Sequence, residues 1–208
     1  MALAERLLKS DFGLQIQELN SNVISEFDPE QPAAMVMVSI DGDPQRSDVV
    51  AGLGMVVCAQ RTAPTLIVDA DIDQRAISQG FEQSDKGLLE SLVEQTPWQQ
   101  SIDATSCDRL RILGSGSERQ GVQDSASLVA QAKTAVDQWK QEFGLVLIDG
   151  GPISSPLAIA LAAASDATFL CVELGQSERE NLVAATERLV AAGATVKGCI
   201  TTGTAAPS

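Results

Sequence analysis

Apolar positions recur along the chain with two periods, and the alternation between them predicts its elements. Phe12, Ile16, Leu19 and Val23 repeat at three- and four-residue intervals, the signature of an amphipathic helix over residues 3–25, closed by the loop FDPEQP. AMVMVSI (34–40) is a continuous apolar run, as expected for a strand buried on both faces of a parallel sheet. Asp48 is placed to cap the next helix, which runs to about Gln60. TLIVDAD (65–71) is a second buried strand ending in acids, followed by a helix near 86–95. LRILGSG (110–116) predicts a third strand and a glycine-serine loop, and Val122, Val129, Val136 and Trp139 mark a long helix over 122–141. LVLIDGG (145–151), the short buried helix LAIALAAAS and the strand ATFLCVEL (167–174) follow. Ser177 opens a helix to about Ala192, Gly193 ends it, and TVKGCITT (195–202) is the last strand.

Strands that alternate with helices throughout define an α/β fold: a doubly wound, mostly parallel sheet with helices on both faces. The 208 residues suit one domain, with an N-terminal helix before a core of about 34–203, and no repeat or linker divides them. In this class ligands sit beyond the carboxyl ends of the strands. Asp69, Asp71 and Asp149 fall there.

Composition narrows the function. The 14 basic and 28 acidic residues give a net charge of -14, which repels phosphate backbones and anionic lipid. We therefore expect no nucleic-acid partner and no direct membrane insertion; no run approaches the ~20 apolar residues of a membrane span, and the start MALAERLLKSD is no signal peptide. The chain has no His, the commonest metal ligand and general base. Its four cysteines lack metal spacing; Cys58, Cys171 and Cys199 sit in apolar runs and read as small buried hydrophobes, pointing to a reducing cytoplasm. Aromatic residues are only 3 %, so Val, Ile, Leu and Ala must fill the core, with Trp98 and Trp139 as packing residues.

The blocks LIVDADID, KGLLESL, LRILGSG, LVLIDGGP and ATFLCVELGQSERENLVAATERLVAAGATVKGCITT, in that order, resemble the bacterial tyrosine-kinase domain of capsule and exopolysaccharide biosynthesis. More broadly they resemble the P-loop ATPases that include septum-site and chromosome-partitioning proteins. The likeness spans residues 10 to 203. It implies a Mg-ATP site in which a GxGKST loop cradles phosphates, its Lys neutralises charge and its Ser/Thr holds magnesium. It implies metal-binding roles for Asp69 and Asp71 (the DxD pair), Asp149 (the Walker B acid) and Ser47, with Asp71 and Asp149 catalytic if the chain is active. Gly42, Asp43, Arg46, Ser47, Asp48 and Thr202 are the matching nucleotide-binding positions, Thr202 standing where the family holds adenine with Asn.

The phosphate loop, SIDGDPQRSD (39–48), departs from that pattern. With Arg46 matched to the family's Lys, Asp43 and Gln45 replace the two glycines, Pro44 between them has no N–H to donate, and Asp48 replaces Thr. An acid about 5 Å from a phosphate, at an effective dielectric of about 20, costs on the order of 3 kcal/mol per phosphate charge. Arg46 keeps the charge but not the compact ammonium, and reads equally as an exposed loop cation or a phosphate ligand. The family's arginine after the DxD pair is Asp73 here, with Arg75 nearby, and its ExxRxxR assembly helix is matched by Leu14, Gln17 and Asn20. The chain contains no tyrosine, which excludes self-phosphorylation on tyrosine.

Two functions remain open. One is a non-catalytic pseudo-ATPase or pseudokinase without cofactor, a cytoplasmic regulatory or scaffolding module in polysaccharide synthesis or export that binds a protein such as a membrane polysaccharide co-polymerase or a related active ATPase and is recruited to the inner membrane through that partner. The other is an Mg-ATP-dependent ATPase or kinase with an atypical loop. A homo-oligomer is compatible with either.

Overall fold

The computed structural model describes residues 11–203 except 41, 44, 82–85, 94–95, 118–124 and 177. Several expectations fall outside the described residues: positions 3–10 of the first helix, Asp41 and Pro44 of the loop, 94–95, 122–124, the helix-opening Ser177, and the tail beyond Gly203. In chain order the elements are α1 (Asp11–Val23), β1 (Ala33–Ser39), α2 (Gln45–Gln60), β2 (Thr65–Asp69), α3 (Ala76–Gly80) and α4 (Leu88–Val93). Then come β3 (Ile102–Ala104), β4 (Leu110–Leu113), α5 (Ser125–Glu142), β5 (Leu145–Pro152), α6 (Pro156–Ala164), β6 (Ala167–Glu173), α7 (Arg179–Ala191) and β7 (Val196–Thr202).

The strands form one seven-stranded sheet in the order β3-β4-β2-β5-β1-β6-β7. Every pairing is parallel except β3 with β4. The doubly wound sheet expected from the sequence is present. Two short elements were not legible there: α3, and the antiparallel edge strand β3, whose three residues are too few to show a period.

β1 is buried along its whole length because helices cover both faces of the sheet. On one side Val36, Val38, Val68 and Ile148 pack with Leu128, Trp139, Leu157 and Leu189 from α5, α6 and α7. On the other, Met35, Met37, Ile67 and Leu147 pack against α2, with Ile16 of α1 outside it. Helix α2 is thus sandwiched between the sheet and α1, which explains why Val49, Val50, Leu53, Val56 and Val57 are buried all round its axis. Each such side chain stabilises the fold by roughly 1.5–3 kcal/mol. Gly52 lets α1 approach closely, since a Cβ there would meet Ile16 Cγ1 at 3.1 Å.

The cysteines need correction. Cys58 and Cys171 are buried as expected, but Cys58, near the end of α2, pairs with Cys107 in a disulfide, and Cys199 is exposed. Burial pushes the Cys171 thiol pKa well up. Their separation of 49 residues hides the Cys58–Cys107 pairing in the sequence. Trp98 and Trp139 are buried packing residues, and Trp98 lies against Phe143 with ring centroids 6.1 Å apart.

Candidate functional site

Strand register assembles the site. β5 lies between β1 and β2, and Asp69 pairs directly with Asp149 across the parallel ladder. Asp71 lies two residues beyond the end of β2, and Ser39 is the last residue of β1. These polar groups converge where α2 begins, with Arg46 and Ser47 in its first turn.

Arg46 is the centre of this cluster. It is completely buried, which corrects the expectation of an exposed loop cation. Its Nε donates to Asp149 Oδ1, Nη1 to Ser39 Oγ at 2.7 Å and Nη2 to Asp71 Oδ2 at 2.5 Å. Ser47 Oγ donates to the other Asp149 oxygen at 2.5 Å. The planar guanidinium fork suits three acceptors arranged around it, which a lysine ammonium would match less well. Burial lowers the Arg46 pKa, but the Asp149 and Asp71 carboxylates outweigh that and hold it above its ordinary value.

The remaining acids also have partners within the chain. Asp71 Oδ1 accepts the Gln74 N–H at 3.0 Å. Asp69 Oδ2 accepts the N–H and hydroxyl of Ser78 at 2.8 and 2.6 Å, and its Oδ1 accepts the Asp71 N–H at 3.2 Å. Asp43 is buried; its carboxylate accepts the Gln45 N–H at 2.9 Å, at the very start of α2, and the Thr202 hydroxyl at 2.6 Å. Gln45 Oε1 accepts the Gly203 N–H at 3.0 Å, a second tie between the loop and the end of β7. The helix begins at Gln45, so Asp48 lies inside its first turn and Asp43 supplies the cap expected of Asp48. Gly42 is exposed, and its carbonyl accepts from Gln74 Nε2 at 3.0 Å.

Sequence reasoning missed Ser39, Ser78 and Glu90. At the glycine-serine loop the Ser117 N–H donates to the Glu90 carboxylate of α4 at 2.8 Å, and the Gly87 N–H donates to its other oxygen at 2.7 Å. Gly116 takes φ +83° there, and a Cβ at Gly87 would stand 2.2 Å from the Gly114 carbonyl oxygen. Arg75 has left-handed backbone, φ 51°, and its Nε donates to Ser115 Oγ at 2.9 Å. In the matched assembly helix, Leu14 is 68 % exposed while Asn20 is buried and bonded to Gln60, so the positions do not form one interaction face.

No profile of a known protein family matches the chain. It is 24 % identical over 195 residues to tyrosine-protein kinase YwqD of Bacillus subtilis (strain 168), a match covering 91 % of this chain and 80 % of that protein. The kinase domain of Escherichia coli tyrosine kinase ETK superposes with a TM-score of 0.79 at 19 % identity, covering 93 % of this chain and 78 % of that one. The septum site-determining protein MinD of Pyrococcus horikoshii OT3, complexed with Mg-ADP, gives a TM-score of 0.68 at 19 % identity, covering 82 % and 70 %. The fold is that of bacterial tyrosine-kinase domains and MinD-like P-loop ATPases.

In a P-loop ATPase fold the start of the helix after β1 receives phosphates, and the acids at the ends of neighbouring strands hold magnesium. Here the Asp43 carboxylate accepts the N–H at that helix start. A guanidinium occupies the space between Asp71, Asp149 and Ser39. Among the described residues, no group of three or more acids, His or Cys is arranged to hold a metal ion. As they stand, these side chains are bonded to one another rather than open toward a magnesium-bound triphosphate.

Asp69 carries a pH signature of this crowding. Burial and the nearby Asp149 charge push its pKa from 3.8 up to about 6, with the Ser78 bonds opposing the shift. Between those values the folded chain binds more protons than the unfolded one. The contribution of Asp69 to stability is therefore complete below about pH 4 and is lost as pH rises through about 6. Asp69→Asn removes this dependence. We expect the wild-type unfolding free energy, minus that of Asp69→Asn, to fall by about 3 kcal/mol between pH 3 and 7. Urea titrations across that range check it, and a flat difference would contradict the assignment.

Proposed function

We propose that this chain is a non-catalytic relative of the bacterial tyrosine-kinase domains that works by binding another protein. The observation that carries the proposal is the buried Arg46, bonded at once to Asp149, Asp71 and Ser39. Admitting magnesium and triphosphate requires that network to break. Separating a buried ion pair costs about 3–5 kcal/mol, which weakens nucleotide affinity by a factor on the order of 10² to 10³ before any repulsion from Asp43 is counted. The absence of tyrosine from the chain removes self-phosphorylation on that residue.

The partner that suits this reading is a membrane polysaccharide co-polymerase or an active ATPase of the same fold, with the module regulating or scaffolding polysaccharide synthesis or export. The likeness to tyrosine kinases supports it. Such a partner would also bring the module to the membrane; among the described residues no helix is long and apolar enough to cross one. The retained Ser47, Asp71 and Asp149 favour the competing reading, an active Mg-ATP enzyme in which Arg46 swings aside. Turnover decides between them. We expect purified protein, alone or with the candidate partner, to release no phosphate from ATP above background. Turnover that Asp149→Asn abolishes would establish the enzyme instead.

A further inference from the structure

A groove of about 760 Å³ runs between α5 on one side and α4 with the Trp98 turn on the other. It shares no residue with the Arg46 cluster. Its lining differs from the rest of the surface in one respect. The solvent-facing side of α5 carries the charges usual for such a surface, with Lys133 paired to Asp137 at 3.2 Å and Lys140 to Asp166 at 2.7 Å. The groove side carries Gln131, Thr134 and Gln138 instead, and among the described residues no Lys or Arg lines the groove. In a chain of net charge -14, a long neutral stripe of amides and hydroxyls is not the expected solvated helix face.

Two pairs of lining side chains are bonded to each other. Trp98 Nε1 donates to Gln138 Oε1 at 3.2 Å, and Gln99 Nε2 donates to Glu142 Oε1 at 2.9 Å. The first bond commits the oxygen end of Gln138 and leaves its NH₂ with two donors to offer a ligand. Fixed polar groups beside a buried indole lower the ordering cost of binding. Among the described residues the lining holds no cation, which disfavours phosphates and acidic ligands, and its Glu142 carboxylate accepts from Gln99. What remains favoured is a molecule rich in hydroxyls, with donors and acceptors along its length and no charge.

We propose that this groove binds a neutral, polyhydroxylated ligand of the oligosaccharide class. The volume lies within the range of small-molecule pockets, about 300–1,000 Å³. The proposal stands independently of nucleotide binding, because it uses none of the residues of the carboxylate site.

The test uses the full chain labelled with nitrogen-15, whose two tryptophans give two indole N–H resonances. Maltotriose, cellotriose and laminaritriose are the neutral probes, and a galacturonic acid trimer is the charged comparison. We expect at least one neutral trisaccharide to shift the Trp98 indole and Gln138 amide signals saturably at millimolar concentration, and the acidic trimer to shift neither. Gln138→Leu and Gln131→Ala, both on the helix surface, should keep the fold and weaken that binding about 10-fold or more. Absence of a saturable shift with every neutral probe overturns the proposal. So does binding unchanged in both variants, or a response to a basic peptide and to no sugar.

Discussion

Arg46→Ala lowers the unfolding free energy by about 3–5 kcal/mol, because it leaves the Asp71 and Asp149 carboxylates buried without their counter-charge. Both acids are at most 2 % exposed, so water cannot replace the guanidinium without opening the core. Two further variants separate this cause from simple loss of packing. Arg46→Lys keeps the charge but gives up the fork that reaches Ser39, Asp71 and Asp149 together, and should recover part of the loss. Arg46→Ala combined with Asp149→Asn removes charge from both sides and should be more stable than Arg46→Ala alone. Denaturant midpoints measure all three. A loss below about 1 kcal/mol for Arg46→Ala would place the pair in the range of exposed salt bridges and contradict its role as the seal.

The second large effect is a gain. Replacing Asp43 and Gln45 with Gly, Arg46 with Lys and Asp48 with Thr restores the residue types that a phosphate loop uses. Removing the Asp43 charge alone relieves on the order of 3 kcal/mol of repulsion toward a nearby phosphate. Removing the guanidinium releases Asp71 and Asp149 from their bonds to it. We expect this variant to bind Mg-ATP at least about 100-fold more tightly than the wild type. Circular dichroism verifies that it folds. A folded variant with no gain in affinity would mean that the site is blocked by something other than these side chains.

The sequence carried the scaffold well because its buried strands are continuous apolar runs, each visible without neighbours. AMVMVSI and LVLIDGG became β1 and β5 within one or two residues of the expected bounds. The short β3 and α3 were invisible, since three to five residues cannot display a period. The difference between residues 39–48 and the phosphate loop of the family it resembles was also legible, with Asp43, Gln45 and Arg46 matched to two glycines and a lysine. What those residues do instead was not. The bond from Arg46 to Asp149 spans 103 residues, and that from Thr202 to Asp43 spans 159. Only the register of β1, β2 and β5 brings such partners together. Charge alone led to the expectation that phosphates are repelled; the fold adds that Asp43 and Arg46 are bonded within the chain.

Titration of the wild-type protein with a fluorescent ATP analogue and excess magnesium is the most direct measurement. The internal ion pairs predict no saturable binding at micromolar nucleotide, and no change in thermal stability when Mg-ATP is added. Saturation in the micromolar range, abolished by Asp149→Asn, would show that Arg46 yields its place and that the nucleotide site is open.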